Sequence, residues 1–211
     1  MKADLSHVVV IVPIRDLESA KSRLGEALDA EERRALVTVM LDRTIRAAVD
    51  GGLDTICVSP AVDALALAAG AGAEPLRQSD DGLNEALELA TLDAVAAGAT
   101  AILVIPVDLP AIAPAALLTI LSNAYAARAH GRPLVAVVPD RHGRGTNALL
   151  VSPPGAIPFA FGPDSRSRHQ AAAIDAGAVY VELGGPLILD LDTADDLALA
   201  EPFLIEPGDV P

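Results

Sequence analysis

The feature that most constrains the fold of this chain is a regular alternation between short apolar runs and longer helix-like stretches. The apolar runs are rich in Val, Ile and Leu, and one of them, Ile102 to Pro106, carries no polar residue, as expected for a strand buried on both faces. Strands are predicted at HVVVIVP, DTICVS, AEPL, AILVIP, LVAVVP, NALLVS, VYVEL and LILDLD. Strands that alternate with helices indicate an α/β fold with a mostly parallel sheet.

The predicted helices are bounded by capping and helix-ending residues. Asp29 and Glu32 have the spacing of a capping box, and a Gly-Gly pair follows the helix that they begin. Helices are predicted from Ala30 to about Asp50, Val62 to about Ala69, Asn84 to Ala97, Pro114 to about His130 and Ser165 to Ala176, with a short last helix capped by Thr193. The length of 211 residues and the absence of repeats or linker-like segments predict a single domain over residues 1–211.

Charge and composition exclude some classes of function. The chain has a formal net charge of −14, whereas a protein that grips a nucleic-acid backbone needs a basic face, so no nucleic-acid partner is expected. No apolar run is long enough to span a bilayer, and the start of the chain lacks the apolar region of a signal peptide, so no membrane association is expected. Cys57 is the single cysteine, and a cytoplasmic location is expected.

Three aspartates follow apolar runs at positions where a ligand is expected. Asp108 ends the stretch ILVIPVDLP, and Asp190 and Asp192 would share one face of a strand. Ligands of such sheets bind beyond the carboxyl ends of the strands. Adjacent carboxylates repel each other unless a cation lies between them, so an Mg²⁺ site is predicted. The alternative for Asp108 is a turn or cap, and Asp195 and Asp196 are interpreted as first-turn acids that complement a helix dipole.

Several loops carry residues that suit an anionic substrate. The segment VPIRDLESAKSRL contains cations that could hold a triphosphate, DRHGRGTNALL offers Thr146, and FAFGPDSRSRH places Ser165 at a helix start after Gly162. The simpler alternatives are a solvated basic face for VPIRDLESAKSRL and a hairpin or loop connection for DRHGRGTNALL. His169 is interpreted as a surface or packing residue rather than an acid or base, and Asn84 either caps a helix or contacts a nucleobase. The acids and loops together predict Mg²⁺-dependent transfer from a nucleoside triphosphate, in which positioning and charge neutralisation supply most of the catalysis.

Five motifs occur in an order that resembles one enzyme family. VPIRDLESAKSRL, VDLP, GRGTNALL, FGPDSRSRH and LDLDTADDL are similar to those of the guanylyltransferases of coenzyme F-420 biosynthesis, over roughly Val8 to Ala200. The resemblance implies a nucleotide-diphospho-sugar transferase-like (GT-A type) three-layer sandwich. It also implies transfer of GMP from GTP to phosphoenolpyruvate, giving enolpyruvoyl-2-diphospho-5'-guanosine and pyrophosphate; the alternative acceptors are 2-phospho-L-lactate and 3-phospho-D-glycerate.

The resemblance also implies roles for individual residues. Asp108, Asp190 and Asp192 match the family's metal-binding acids, and Thr146, Gly162 and Ser165 match the residues that hold phosphoenolpyruvate. Lys21 and Arg23, with Asp108, are the expected catalytic residues, the two cations contacting the GTP phosphates, and Asn84 with the preceding Gly82 is expected near guanine. One position departs from the pattern, because many relatives have glycine where this chain has Asp164.

Other interpretations remain open from sequence. Sugar-phosphate nucleotidyltransferases and molybdenum-cofactor guanylyltransferases share the fold, but they carry a glycine-rich N-terminal motif that VPIRDLESAKSRL lacks. A non-catalytic nucleotide-binding paralogue is expected to have lost one or more of the three acids, and all three are present. The sequence is compatible with a homodimer and with direct hand-off of the product to the next enzyme of the pathway.

Overall fold

The computed structural model describes residues 3–17, 24–25, 27–79 and 82–204. These residues form a seven-stranded sheet with the strand order β3-β2-β1-β4-β6-β5-β7. The strands are β1 (Val8–Pro13), β2 (Asp54–Ser59), β3 (Glu74–Arg77), β4 (Ala101–Val104), β5 (Leu134–Pro139), β6 (Thr146–Ser152) and β7 (Val179–Glu182). The helices are α1 (Ala30–Asp50), α2 (Val62–Gly70), α3 (Leu83–Ala96), α4 (Pro114–Ala127), α5 (Ser165–Asp175) and α6 (Ala194–Leu204).

Strand direction brings the predicted site residues to one edge of the sheet. β6 is antiparallel to both of its neighbours, β4 and β5, whereas the remaining pairs are parallel. Pro139, at the end of β5, is in register with Thr146, at the start of β6. The amino end of β6 therefore lies at the edge where β1, β4 and β5 have their carboxyl ends.

The sheet is covered by helices on both faces, which gives three layers. One hydrophobic cluster joins alternate residues of β1, Val8, Val10 and Val12, to buried residues of α1, α2 and α4. The other joins Val9 and Ile11 to buried residues of α3 and α5. Successive residues of a strand point to opposite faces, so an unbroken apolar run is what a doubly covered strand requires. The α/β class and the mostly parallel sheet are thus confirmed.

A third, smaller cluster lies outside these two cores. Met40 of α1 packs with Leu191 and with Ala200 of α6, and all three side chains are buried. Arg43 of α1 also donates a hydrogen bond to the carbonyl of Phe203 near the end of α6. The last helix is therefore attached to α1 rather than to the sheet.

The predicted strand LILDLD is wrong. Pro186–Ile188 form a short 3₁₀ turn, Leu189 is extended, and residues 189–193 do not join the sheet. Because Pro186 has no N–H, it suits the first position of such a turn better than a ladder. Smaller differences are that α4 ends at Ala127 rather than near His130, and that α3 begins at Leu83.

The capping box predicted for α1 is confirmed. Asp29 accepts hydrogen bonds from the N–H groups of Glu31 and Glu32, and the Glu32 carboxylate accepts one from Asp29 N–H. Within the described ranges, we find no helix with the length and apolar character needed to cross a membrane.

Candidate active site

The three predicted metal acids lie on two segments that touch each other. Asp108 lies in the loop after β4, and Asp190 and Asp192 lie in the segment 189–193 before α6. The N–H of Leu191 donates a hydrogen bond to the carbonyl oxygen of Asp108 over 2.9 Å. Buried Leu191 lies between the two acids, and all three aspartates are half-buried. That Asp190 and Asp192 face the same side stays a prediction, since this segment is not a strand.

Asp196 holds this segment in place. Its Oδ2 accepts hydrogen bonds from the N–H of Asp192 over 3.1 Å and from the N–H and hydroxyl of Thr193 over 2.7 Å each. The Thr193 hydroxyl in turn accepts from Asp196 N–H, which completes a reciprocal cap of α6. The structure thus confirms Thr193 as a cap and gives Asp196 a role that sequence reasoning missed.

The carboxylate of Asp196 also joins this segment to the loop between β5 and β6. Its side chain is almost fully buried and forms an ion pair with Arg141. Burial alone would raise the pKa of Asp196, but the hydrogen bonds from Thr193 and Asp192 and the charge of Arg141 outweigh it, so the pKa is lowered. The carboxylate therefore stays ionised, as its partners require.

The loop from 140 to 145 is built around Asp140. The Asp140 side chain accepts from the N–H of Arg144 over 2.8 Å, and the carbonyl of Asp140 accepts from Gly143 N–H over 3.0 Å. A Cβ on Gly145 would lie 2.8 Å from Oδ2 of Asp140, so a larger residue there would displace the Asp140 side chain. The predicted loop connection is therefore a compact turn that delivers Thr146 to the sheet edge.

Thr146 and Ser165, both predicted to hold the acceptor, are in direct contact. The Ser165 hydroxyl donates to the Thr146 hydroxyl oxygen over 3.1 Å, and Nδ1 of His169 lies 3.1 Å from the same oxygen. All three side chains are buried. The structure therefore brings together residues of β6 and α5 that are distant in sequence, and it places His169 in the interior rather than on the helix surface.

Asn84 clamps the segment that precedes α5. Its carbonyl oxygen accepts from Phe161 N–H over 2.9 Å, and its amide donates to the Phe161 carbonyl over 3.3 Å. Asn84 does not cap α3, whose N-cap is Gly82. It fixes the backbone next to Gly162, the third residue predicted to hold the acceptor.

The turn that leads into α5 has an unusual backbone. Gly162 has φ of 116°, and Asp164 has φ of 55°, in the left-handed region. Glycine is favoured in both conformations, so Asp164 adopts a backbone conformation that a side chain makes less favourable. Asp164 is exposed, so solvent screens its charge.

The first N–H groups of α5 are partly used within the protein. Ser165 N–H donates to the carbonyl of Gly162 over 3.2 Å, and Arg166 N–H donates to the carbonyl of Arg144 over 3.1 Å. The Arg166 guanidinium forms an ion pair with Glu182 over 2.7 Å. These contacts couple α5 to the loop that delivers Thr146.

The basic segment after β1 is described only in part. Ile14 N–H donates to Val58 and the Arg15 carbonyl accepts from Ser59, so this segment leaves the sheet between β1 and β2. Lys21 and Arg23 lie outside the described residues. In the described part of the chain, no three His, Cys, Asp or Glu side chains converge closely enough to form a metal site by themselves.

The fold resembles that of enzymes that act on nucleotides. A putative nucleotide-diphospho-sugar transferase from Desulfovibrio desulfuricans superposes with a TM-score of 0.71 at 16% identity, covering 91% of this chain and 85% of that chain. A 4-diphosphocytidyl-2C-methyl-D-erythritol synthase from Anaerococcus prevotii gives 0.59 at 11% identity, covering 95% and 99%. The nucleotide-diphospho-sugar transferase-like class, predicted from the motifs, is confirmed.

Within that class the family is defined by sequence. The model of the CofC-like guanylyl transferases matches residues 8–204, and the chain belongs to this family. It is 41% identical to a phosphoenolpyruvate guanylyltransferase of Rubrobacter xylanophilus, covering 92% of this chain and 93% of that protein. It is 40% identical to one of Sphaerobacter thermophilus, covering 90% of each. The predicted family is therefore confirmed, and the chain is a nucleotidyltransferase.

Proposed function

We propose that this protein transfers GMP from GTP to phosphoenolpyruvate, giving enolpyruvoyl-2-diphospho-5'-guanosine and pyrophosphate, as a step of coenzyme F-420 biosynthesis. The observation that carries this proposal is the similarity, at about 40% identity over nine-tenths of each chain, to proteins named phosphoenolpyruvate guanylyltransferase. The contact between Thr146 and Ser165 supports an anion site at the sheet edge. 2-Phospho-L-lactate and 3-phospho-D-glycerate are the alternative acceptors.

The proposed metal ligands are Asp108, Asp190 and Asp192. Their segments are joined by the hydrogen bond between Leu191 and Asp108, and carboxylates fit Mg²⁺, which prefers oxygen ligands and completes its shell with waters and substrate phosphates. Because phosphates supply part of the shell, the three carboxylates need not form a closed cage by themselves. Mg²⁺ would neutralise phosphate charge at this edge. A glucosyl-3-phosphoglycerate synthase of related fold has been solved with Mg²⁺ and UDP (TM-score 0.56, 13% identity, 84% of this chain and 69% of that chain).

The proposed acceptor site is formed by Thr146, Gly162 and Ser165. Thr146 and Ser165 offer hydroxyl groups, and Gly162 offers backbone that a substrate can approach closely because it has no Cβ. Lys21 and Arg23 are proposed to neutralise the pyrophosphate that leaves, as cations do in phosphoryl transfer. Asn84 contributes by fixing the backbone at Phe161, and its predicted contact with guanine stays a prediction.

The proposed reaction needs no general base. A phosphate of the acceptor is already ionised at neutral pH, and one of its oxygens attacks the α-phosphorus of GTP in line with the leaving pyrophosphate. The chain's own contribution is to align the two substrates and to offset their charge. Burial lowers the pKa of His169 to about 4, so His169 is a weak proton acceptor, as a reaction without a general base allows.

Pyrophosphate release tests this function. The purified protein is incubated with GTP, Mg²⁺ and phosphoenolpyruvate, 2-phospho-L-lactate or 3-phospho-D-glycerate in turn, and we expect the fastest release with phosphoenolpyruvate. ATP in place of GTP tests base choice. Faster pyrophosphate release with another acceptor would identify that compound as the substrate. Tight GTP binding without release, even with the next pathway enzyme present, would favour the non-catalytic alternative.

Three further expectations stay predictions, namely a cytoplasmic location, a homodimer and direct hand-off of the product.

Cys57 is buried, and burial raises the pKa of its thiol to about 12, which makes it unreactive.

A further inference from the structure

His169 is a buried histidine that the proposed reaction does not use. Its side chain is fully buried on α5, and its ring meets the edge of the Phe161 ring at a centroid distance of 5.0 Å and an interplanar angle of 70°. A buried imidazole needs partners for both of its nitrogens, since an unsatisfied buried polar atom costs about 1–3 kcal/mol. The partners of His169 are therefore informative.

The hydrogen bonds of the ring fix its tautomer. The N–H of Ala160 points at Nε2 over 3.1 Å, and a backbone N–H can only donate, so Nε2 must be the acceptor. Burial lowers the pKa of His169 to about 4, and the charge of Arg168 acts in the same direction, so the ring is neutral near pH 7. A neutral ring that accepts at Nε2 carries its proton on Nδ1, and this N–H donates to the Thr146 hydroxyl oxygen.

These bonds determine what the Thr146 hydroxyl can do. Its oxygen accepts from Nδ1 of His169 and from the hydroxyl of Ser165, both over 3.1 Å, so both lone pairs are used. Its only remaining capacity is to donate its own hydrogen. An anionic phosphate or carboxylate can only accept hydrogen bonds, so a hydroxyl fixed as a donor is prepared for such a ligand.

We propose that His169 is a positioning residue, which sets the Thr146 hydroxyl as a hydrogen-bond donor to the anionic acceptor and ties it to the 159–162 segment. This inference rests on the proposed function, because the acceptor is the ligand that the hydroxyl would meet. Through Ala160 the same ring also holds the backbone just before Phe161, which Asn84 clamps from the other side. One side chain thus connects two parts of the proposed acceptor site.

Two substitutions separate the two hydrogen bonds of the ring. The amide nitrogen of asparagine lies roughly where Nδ1 lies, so His169→Asn can keep the donor to Thr146 and lose the acceptor for Ala160. The longer glutamine places its carbonyl oxygen roughly where Nε2 lies, so His169→Gln can keep the acceptor and lose the donor. We expect His169→Gln to raise KM for the acceptor about tenfold, the equivalent of one hydrogen bond, and His169→Asn to change it by less than about threefold. KM for GTP should be unchanged in both variants.

Two results would overturn the proposal: an equal effect of both variants on the KM for the acceptor, or an equally large effect on the KM for GTP. A side chain that only fills space would not distinguish the two variants or the two substrates. Failure of the proposed function is seen separately, as absence of pyrophosphate release by the unaltered protein with every acceptor. In that case the positioning role falls with the function on which it rests.

A second measurement does not depend on activity. In the unaltered protein labelled with ¹⁵N-histidine, the ring nitrogens of His169 should show a protonated Nδ1 and an unprotonated Nε2 at pH 7. His169→Asn, which lacks those signals, identifies them among the other histidines. A ring protonated at Nε2 would overturn the proposal even if the enzyme were fully active.

Discussion

Among single side chains, substitution of Asp190 is the most direct test of the proposed metal site. Asp190→Asn removes a charge without changing side-chain size, and we expect turnover to fall about a hundredfold or more, because charge stabilisation at the transferring phosphoryl group is lost. Pyrophosphate release at saturating GTP and acceptor measures this, while circular dichroism reports whether the fold is retained.

The matched control for Asp190 is Asp195→Asn, since Asp195 is an exposed acid in the first turn of α6. It removes the same charge a few residues away and should leave turnover within about twofold, because an exposed charge is strongly screened. Near-normal turnover of Asp190→Asn would remove Asp190 from the metal site.

His169 also predicts how stability depends on pH. Its pKa is about 4 in the folded protein and 6.5 when exposed, so the unfolded chain binds the extra proton first. The contribution of neutral His169 is therefore fully present above about pH 6.5 and is lost as the pH falls toward 4, up to about 3 kcal/mol at 1.36 kcal/mol per unit of pKa.

Urea unfolding of the unaltered protein and of His169→Asn at pH 7.5, 5.5 and 4.5 measures this contribution. The variant lacks the titrating group, so its free energy of unfolding should fall less steeply between pH 6.5 and 4. Parallel pH profiles for the two proteins would show that His169 does not titrate on unfolding in this range.

Among the elements, the start of α6 has the clearest link to the proposed chemistry. Asp196→Ala removes the acceptor for the N–H groups of Asp192 and Thr193 and leaves Arg141 without its buried partner. We expect a loss of about 2–4 kcal/mol in the free energy of unfolding and a fall in turnover, because the backbone that carries Asp192 is no longer held. Thermal melting and pyrophosphate release measure the two effects.

Asp195→Ala is the control here, because it removes the neighbouring acid of the same helix turn without touching the cap. It should change the free energy of unfolding by less than about 0.5 kcal/mol, as is usual for an exposed site. If the two variants behaved alike, the cap would not be what holds the segment.

How far sequence reasoning reached depends on how local each signal is. The capping box of Asp29 and Glu32 was predictable because both partners lie within one turn, and the buried strands because their apolar runs are uninterrupted. The segment LILDLD also alternates apolar and polar residues like a strand. The alternation misled the prediction because Leu191 packs on Met40 of α1 and not on a neighbouring strand.

The partners of the polar residues could not be predicted, because they come from distant parts of the chain. Asn84 is a residue type that often caps helices, yet it forms hydrogen bonds with Phe161. Asp196 has the sequence position of an ordinary first-turn acid, yet it pairs with Arg141. Contacts between distant loops cannot be inferred from a single sequence. Ser165, which begins α5, and Thr146, which begins β6, were found as separate signals, and the fold shows that their hydroxyls touch.

For the protein as one unit, the small cluster around Leu191 should be separable from the main cores. Leu191→Ala opens a cavity next to Met40 and Ala200, away from the sheet, so we expect hydrogen exchange over about residues 189–200 to rise and turnover to fall. The melting temperature of the variant should fall only modestly. Hydrogen-exchange mass spectrometry and pyrophosphate release measure these effects.

Leu103→Ala provides the contrast, because Leu103 is fully buried in the centre of the sheet. It should cost about 2–5 kcal/mol of global stability and raise exchange throughout the molecule. If Leu191→Ala lowered stability globally in the same way, residues 189–200 would belong to the same cooperative unit as the sheet.

The hydrogen bond between Leu191 and Asp108 has a consequence for the order in which the protein is made. All seven strands end by Glu182, so a growing chain can complete its sheet while Asp190, Asp192 and Asp196 are still inside the ribosome. Until those residues emerge, the hydrogen bond between Leu191 and Asp108 cannot form and the proposed site is incomplete. Translation would therefore deliver a folded body first and a working enzyme last, so a stalled nascent chain would be compact yet unable to consume GTP.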